Sequence, residues 1–99
     1  VHNNRGNIMH SQGHFEAAIR DYDRAIAIRP EFFGAWDNRA KSLLILDRYA
    51  EAVDSFDRAI ALKPDAAGAF YFRGVALKGL SKANEALLSF EKALSLDPQ

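Results

Sequence analysis

The chain has 99 residues, 48% of them apolar, with thirteen basic and thirteen acidic side chains that cancel to zero net charge. That length and composition suit one globular domain, and the missing field excludes recruitment of nucleic acid or an anionic membrane by bulk charge. No cysteine is present, so disulfides, thiolate nucleophiles and sulfur-bound zinc are excluded together.

The charge cancels locally as well: residues 1–32 sum to zero, 33–66 to −1 and 67–99 to +1. No apolar run exceeds four residues, as in Leu43-Leu44-Ile45-Leu46, far short of the ~20 residues that span a bilayer. No signal-peptide pattern is seen either, and the expected location is cytoplasmic. The chain opens within a repeat and stops just after Pro98, so it reads as a fragment of something longer.

Taken in chain order, residues 2–12 have helical spacing and break at Gly13-His14. Ala18, Ile19, Tyr22, Ala25 and Ile26 then form one helix face, closed by Pro30, whose missing N–H cannot continue a helix. Residues 35–46 predict the next helix, with a break at Asp47-Arg48. Ala52, Val53, Phe56, Ala59 and Ile60 repeat the earlier stripe up to Pro64. Residues 69–80, a break at Ser81-Lys82, and a last helix to Pro98 complete the series.

The series is periodic. DRAIAIRP at 23–30, DRAIALKP at 57–64 and EKALSLDP at 91–98 stand 34 residues apart. Gly6, Ala40 and Gly74 each precede Ala18, Ala52 and Ala86 by twelve positions, which allows two helices to approach closely. A single hairpin cannot bury its apolar face, whereas a stack of three makes a continuous core. The expectation is an all-α stack of antiparallel helix pairs, six helices in one domain, with repeats 1–32, 33–66 and 67–99.

Trp36, Ala40, Leu43, Ala52, Phe56, Ala59 and Pro64, with Phe70, Gly74, Leu77, Ala86, Phe90, Ala93 and Pro98, resemble the tetratricopeptide repeat signature. The resemblance implies a right-handed superhelix whose concave surface holds an extended peptide. Arg5, Arg39 and Arg73 depart from it, standing where that family usually has Leu. Their stems can still pack while each guanidinium reaches solvent or a neighbouring acid.

Enzyme chemistry finds no foothold. No phosphate-binding glycine loop is present, and His10 and His14, four apart, have no acid near them in sequence to complete a metal site. Asp21, Asp23 and Arg24, like Asp54, Asp57 and Arg58, read as charge pairs on a solvated helix face. Neither a cofactor nor a metal is expected, and the fragment reads as a binding module rather than an enzyme.

The groove positions implied by the resemblance are Asn3, Asn4, Asn7 and His10 in the first copy. Asp37, Asn38 and Lys41, flanked by Gly34 and Leu44, follow in the second. Tyr71, Phe72, Val75 and Lys78, after Gly68, follow in the third. An asparagine amide both donates and accepts, so Asn4 and Asn38 one repeat apart can hold a peptide backbone. This spacing resembles the asparagine ladder in the repeats of O-GlcNAc transferases, with Phe72 breaking it; by that resemblance the fragment would recruit substrates for a larger enzyme. Carboxylate-clamp repeats share Asn7 and Asn38, but Asn3, Gly68 and Phe72 stand where their cations belong. A free carboxylate wants charged donors, so chaperone-tail binding is disfavoured.

The expected partner is therefore a protein or peptide whose backbone lies on the asparagines, with an apolar anchor on Tyr71 and Phe72 and an acid near the lysines. A further expectation is self-association through the last helix, where Leu87, Phe90 and Leu94 would meet a next hairpin.

Overall fold

The computed structural model describes residues 13–97. Five helices occupy them: α1 (Phe15–Ile28), α2 (Phe33–Ile45), α3 (Tyr49–Leu62), α4 (Ala67–Gly79) and α5 (Ala83–Leu96). The helix expected over 2–12 lies outside the described residues. Each helix packs on its neighbours in sequence, and α2 also touches α4. Among the described residues, no helix is long and apolar enough to cross a membrane.

Two kinds of turn alternate. After α2, Asp47 adopts φ 59°, and after α4, Ser81 adopts φ 62°; Gly13, at the same repeat position, has φ 82°. The left-handed residue lets two amides fold back onto the helix end: Asp47 N–H donates to Leu44 O at 3.0 Å and Arg48 N–H to Leu43 O at 2.9 Å. Ser81 and Lys82 repeat both bonds onto Lys78 and Leu77 at 2.9 Å. This paired closure satisfies carbonyls that a helix end otherwise leaves orphaned. The other turns stop at Arg29 and Lys63, held extended by the prolines that follow.

None of the five helices has a side-chain N-terminal cap, so their stability comes from packing rather than local signals. The packing surface is mostly alanine: Ala18, Ala35, Ala40, Ala52 and Ala59 are fully buried. Helices meeting through alanine come close, and the space left is filled by a few large side chains, Tyr22, Leu43, Phe56 and Leu77. Burying a side chain of the Leu or Phe class stabilises by roughly 1.5–3 kcal/mol. In the third pair the fit is tighter still, since a Cβ on Gly74 would stand 2.7 Å from the Phe90 ring.

The arginines that depart from the family pattern join successive repeats. Arg39, on α2, donates through Nε to Asp23 on α1 at 2.6 Å and through Nη1 to Ser55 on α3 at 2.5 Å. Arg73, on α4, does the same to Asp57 on α3 at 2.6 Å and Ser89 on α5 at 2.7 Å. Ser55 and Ser89 are buried, so each guanidinium bridges a core hydroxyl and a surface carboxylate of the preceding repeat. Asp23 and Asp57 are thus not simply charge pairs on their own helix face. Asp21 occupies the register of those serines and is also buried, with Arg24 Nη1 at 3.2 Å. Arg58 instead lies over the Trp36 ring at 5.5 Å.

Burial, reinforced by the adjacent Asp21 charge, pushes the Tyr22 phenol up to about 12. An acid whose folded value exceeds its unfolded value of about 10 contributes stability that is complete below pH 10 and lost as pH rises toward 12. Tm should therefore fall more steeply between pH 10 and 12 in the native chain than in Tyr22→Phe; equal slopes would contradict the assignment. A double-mutant cycle on Asp23→Ala and Arg39→Ala should give a coupling of about 0.5–1 kcal/mol by urea unfolding, because Asp23 is half exposed. Arg39→Met, which keeps the stem, should destabilise less than Arg39→Ala.

Candidate functional site

The groove positions of the second and third copies lie on α2 and α4, the two non-consecutive helices that touch. Within α2, the i, i+4 pair Lys41 and Asp37 closes with Nζ 3.0 Å from Oδ2. The same ammonium stands 5.5 Å from the centre of the Phe72 ring on α4. A cation held between a carboxylate and an aromatic face gains from both, so this contact ties α2 and α4 together. The other carboxylate oxygen, Asp37 Oδ1, is buried and has no hydrogen-bond partner among the described residues.

Phe72 continues the chain of contacts in two directions. Its ring stacks on Phe56 at 6.5 Å and 15°, which makes it part of the packing between repeats. Tyr71 meets it edge-on at 5.1 Å and 81°, and Tyr71 is itself 5.5 Å from Phe90. Asp37, Lys41, Phe72 and Tyr71 therefore form one connected set. Asn38 is half-buried on the same helix as Asp37, Val75 is half-buried, and Lys78 is exposed. Lys78 has no ion pair among the described residues, whereas Lys41 has one. Leu44 packs against the core, and Gly34 lies beside the Phe32 ring. Asn3, Asn4, Asn7 and His10 lie outside the described residues.

At the far end of the stack, a cavity of about 440 Å³ opens between α4 and α5. Tyr71, Phe90, Ala93 and Leu94 form its walls, above Ala67 and Gly68. Of the three residues expected at a self-association face, Phe90 and Leu94 line this cavity, while Leu87, 57% exposed, stands outside it. Tyr71 belongs to both surfaces, a link that sequence spacing missed. The signal was present in the register: Asp37 is its counterpart one repeat earlier, and only the third copy substitutes an aromatic ring.

The comparisons with known proteins agree with this architecture. The tetratricopeptide repeat model matches residues 6–67 and again 38–99. The second TPR of Spaghetti (RPAP3), bound to the HSP90 peptide SRMEEVD, is 36% identical; the match covers 97% of this chain and 89% of that one, with a TM-score of 0.94. The second TPR domain of human RPAP3, in complex with the HSP70 peptide SGPTIEEVD, is 37% identical over 98% of this chain and 81% of its own, at TM-score 0.95. The TPR domain of Arabidopsis OM64 is 26% identical, with 99% and 81% covered and a TM-score of 0.97. No curated protein matches the chain significantly. On the repeat register, the paired helices and these likenesses, the chain belongs to the tetratricopeptide repeat family.

Proposed function

We propose that the chain is a protein-interaction module that binds an extended peptide or partner segment along α2 and α4. The observation that carries this reading is the connected set Asp37, Lys41, Phe72 and Tyr71, which presents an ordered polar and aromatic surface across two helices. Two relatives at 36% and 37% identity hold peptides, which supports the same class of activity here.

The chemistry favours a different ligand from theirs. Asn3, Gly68 and Phe72 supply no cations for a terminal carboxylate, and Lys41 is already engaged by Asp37. Among the described residues, Lys78 is the expected groove cation left to meet an acid. Asn38 holds ligand backbone, and Tyr71, 50% exposed, offers an apolar anchor with a hydroxyl at its tip. Such a segment is read by its backbone and one apolar residue rather than by its C-terminus.

A second reading, self-association through the last helix, is favoured by one observation. Leu94 is 60% exposed beside the open cavity, while its counterpart Ile60 packs against the core.

An amide-resolved NMR titration with a pool of extended peptides tests the groove. Shifts should cluster on Asn38, Lys41 and Tyr71. Asn38→Ala should weaken the selected peptide about three- to tenfold, the equivalent of one or two hydrogen bonds. Tyr71→Ala should weaken it about tenfold or more if the ring is an anchor. A peptide ending in EEVD should bind no better than its C-terminal amide. Unchanged affinity in both variants overturns the groove reading.

A further inference from the structure

We propose that the turn joining α1 to α2, with the end of α3 that packs on it, is a second docking site, which takes an acidic segment of a partner protein by carboxylate contacts to Arg29, Arg58 and Lys63. It shares no residue with the set Asp37, Lys41, Phe72 and Tyr71 on α2 and α4.

Each of the three cations is held on a ring. Arg29 lies 5.1 Å from the centre of Phe32, Lys63 5.3 Å from that of Phe33, and Arg58 5.5 Å from that of Trp36. Trp36 is fixed in turn, its Nε1–H donating to Pro30 O at 2.7 Å. All three cations are exposed, and none has an ion pair among the described residues. Arg58 takes the ring although Asp54 stands one turn before it on α3, at the spacing of a helix ion pair. A ring beneath a guanidinium occupies its flat face and leaves the N–H groups at its rim free. Those are the donors that grip a carboxylate in parallel. The ring also places the charge before a ligand arrives, which lowers the ordering cost of binding.

The backbone of the turn does not require these groups. Phe32 N–H donates to Arg29 O at 3.1 Å and Trp36 N–H to Phe32 O at 3.4 Å. One repeat later, Ala66 N–H donates to Lys63 O at 3.2 Å and Phe70 N–H to Ala66 O at 3.3 Å, so the same closure forms. There Ala66 and Ala67 stand in the register of Phe32 and Phe33. Lys92, in the register of Arg58, is exposed and lies over no ring among the described residues. The first turn thus carries partly exposed rings and seated cations that its counterpart does without.

The surroundings select the occupant. Ile28 and Leu62, which precede Arg29 and Lys63, are 68% and 40% exposed, so apolar surface lies beside the charges. A segment whose acids flank an apolar residue is complementary to such a surface. Glu31 and Asp65 are exposed in the same two turns and have no ion pair among the described residues. They would repel a continuous line of phosphates, whereas separate carboxylates can seat on the cations around them. The charge pattern therefore favours a protein segment over a nucleic acid.

Trp36 is the chain's one tryptophan, so its emission and its indole N–H resonance report on this site directly. The probe is a synthetic Glu-rich peptide with a central leucine, added to the 99-residue chain at up to about 1 mM, the range of weak contacts. The Trp36 indole signal and the amides of residues 29–33 and 58–63 should shift. Raising salt from about 50 to about 300 mM should weaken binding about threefold or more. The same peptide with Gln in place of Glu should leave Trp36 unmoved. Arg58→Gln, and Arg29→Gln combined with Lys63→Gln, should each weaken binding about three- to tenfold, while Lys92→Gln, the same change of charge on α5, should not. These positions are exposed, and circular dichroism checks that each variant is helical. A Trp36 signal that the Glu-rich peptide does not move overturns the proposal, as does an affinity that both sets of Gln variants leave unchanged. Shifts confined to Asn38, Lys41 and Tyr71 also overturn it, while supporting the groove reading. A single-stranded oligonucleotide of equal charge that binds as tightly overturns the choice of partner.

Discussion

Everything in this molecule depends on the fact that no helix pair can bury its own apolar face. The pairs meet through alanine and glycine, which brings backbones close but removes little apolar area per residue. Phe56, the large ring at the centre of the described stack, is fully buried with Phe72 of the following repeat stacked against it. Stability is therefore a property of the contacts between repeats. The arginine bridges make those contacts specific, because each guanidinium spans a buried hydroxyl and a carboxylate on different helices and fits only one register.

The same constraint shapes the surface shared by α2 and α4. Phe72 serves the interior through Phe56 and the surface through Lys41, so a side chain at an expected groove position is also structural. Substitution there disturbs the packing between repeats. Tyr71 is more exposed and, among the described residues, meets its neighbours through ring contacts, so a change there costs the fold less than one at Phe72. Asp37 stands between these cases, since it pairs with Lys41 through one oxygen and leaves the other a buried acceptor without a partner among the described residues.

Much of the fold was legible because its signal repeats. Pro30, Pro64, the alanine stripes and the aromatic positions announce the helix pairs at a fixed interval, and the structure follows them to within a few residues. The arginine bridges were legible only in part. Sequence shows that Arg39 and Arg73 can reach an acid, but Asp23 and Asp57 also look like members of local i, i+1 charge clusters. Which acid wins is decided by the distance between helices, and no local pattern encodes it. The sequence names positions on α2 and α4 but not the contacts between them. Lys41 reads as a free cation until Asp37 and Phe72 are seen around it. Tyr71 reads as a groove residue until Phe90 is found against it.

The turn between paired helices carries a wider consequence. Gly13, Asp47 and Ser81 take the same left-handed conformation, although their side chains differ in size, charge and intrinsic preference. The bonds that close the Asp47 and Ser81 turns run from backbone to backbone, with Tyr49 Oη donating to Asp47 Oδ1 as an addition at one of them, so the corner accepts any residue that tolerates a left-handed conformation. A unit with such a corner can be copied whole, and its sequence can then drift at that position without altering the angle between its helices. Arrays of this kind can lengthen or shorten by one unit at a time, while the chemistry displayed by each copy diverges independently of the scaffold.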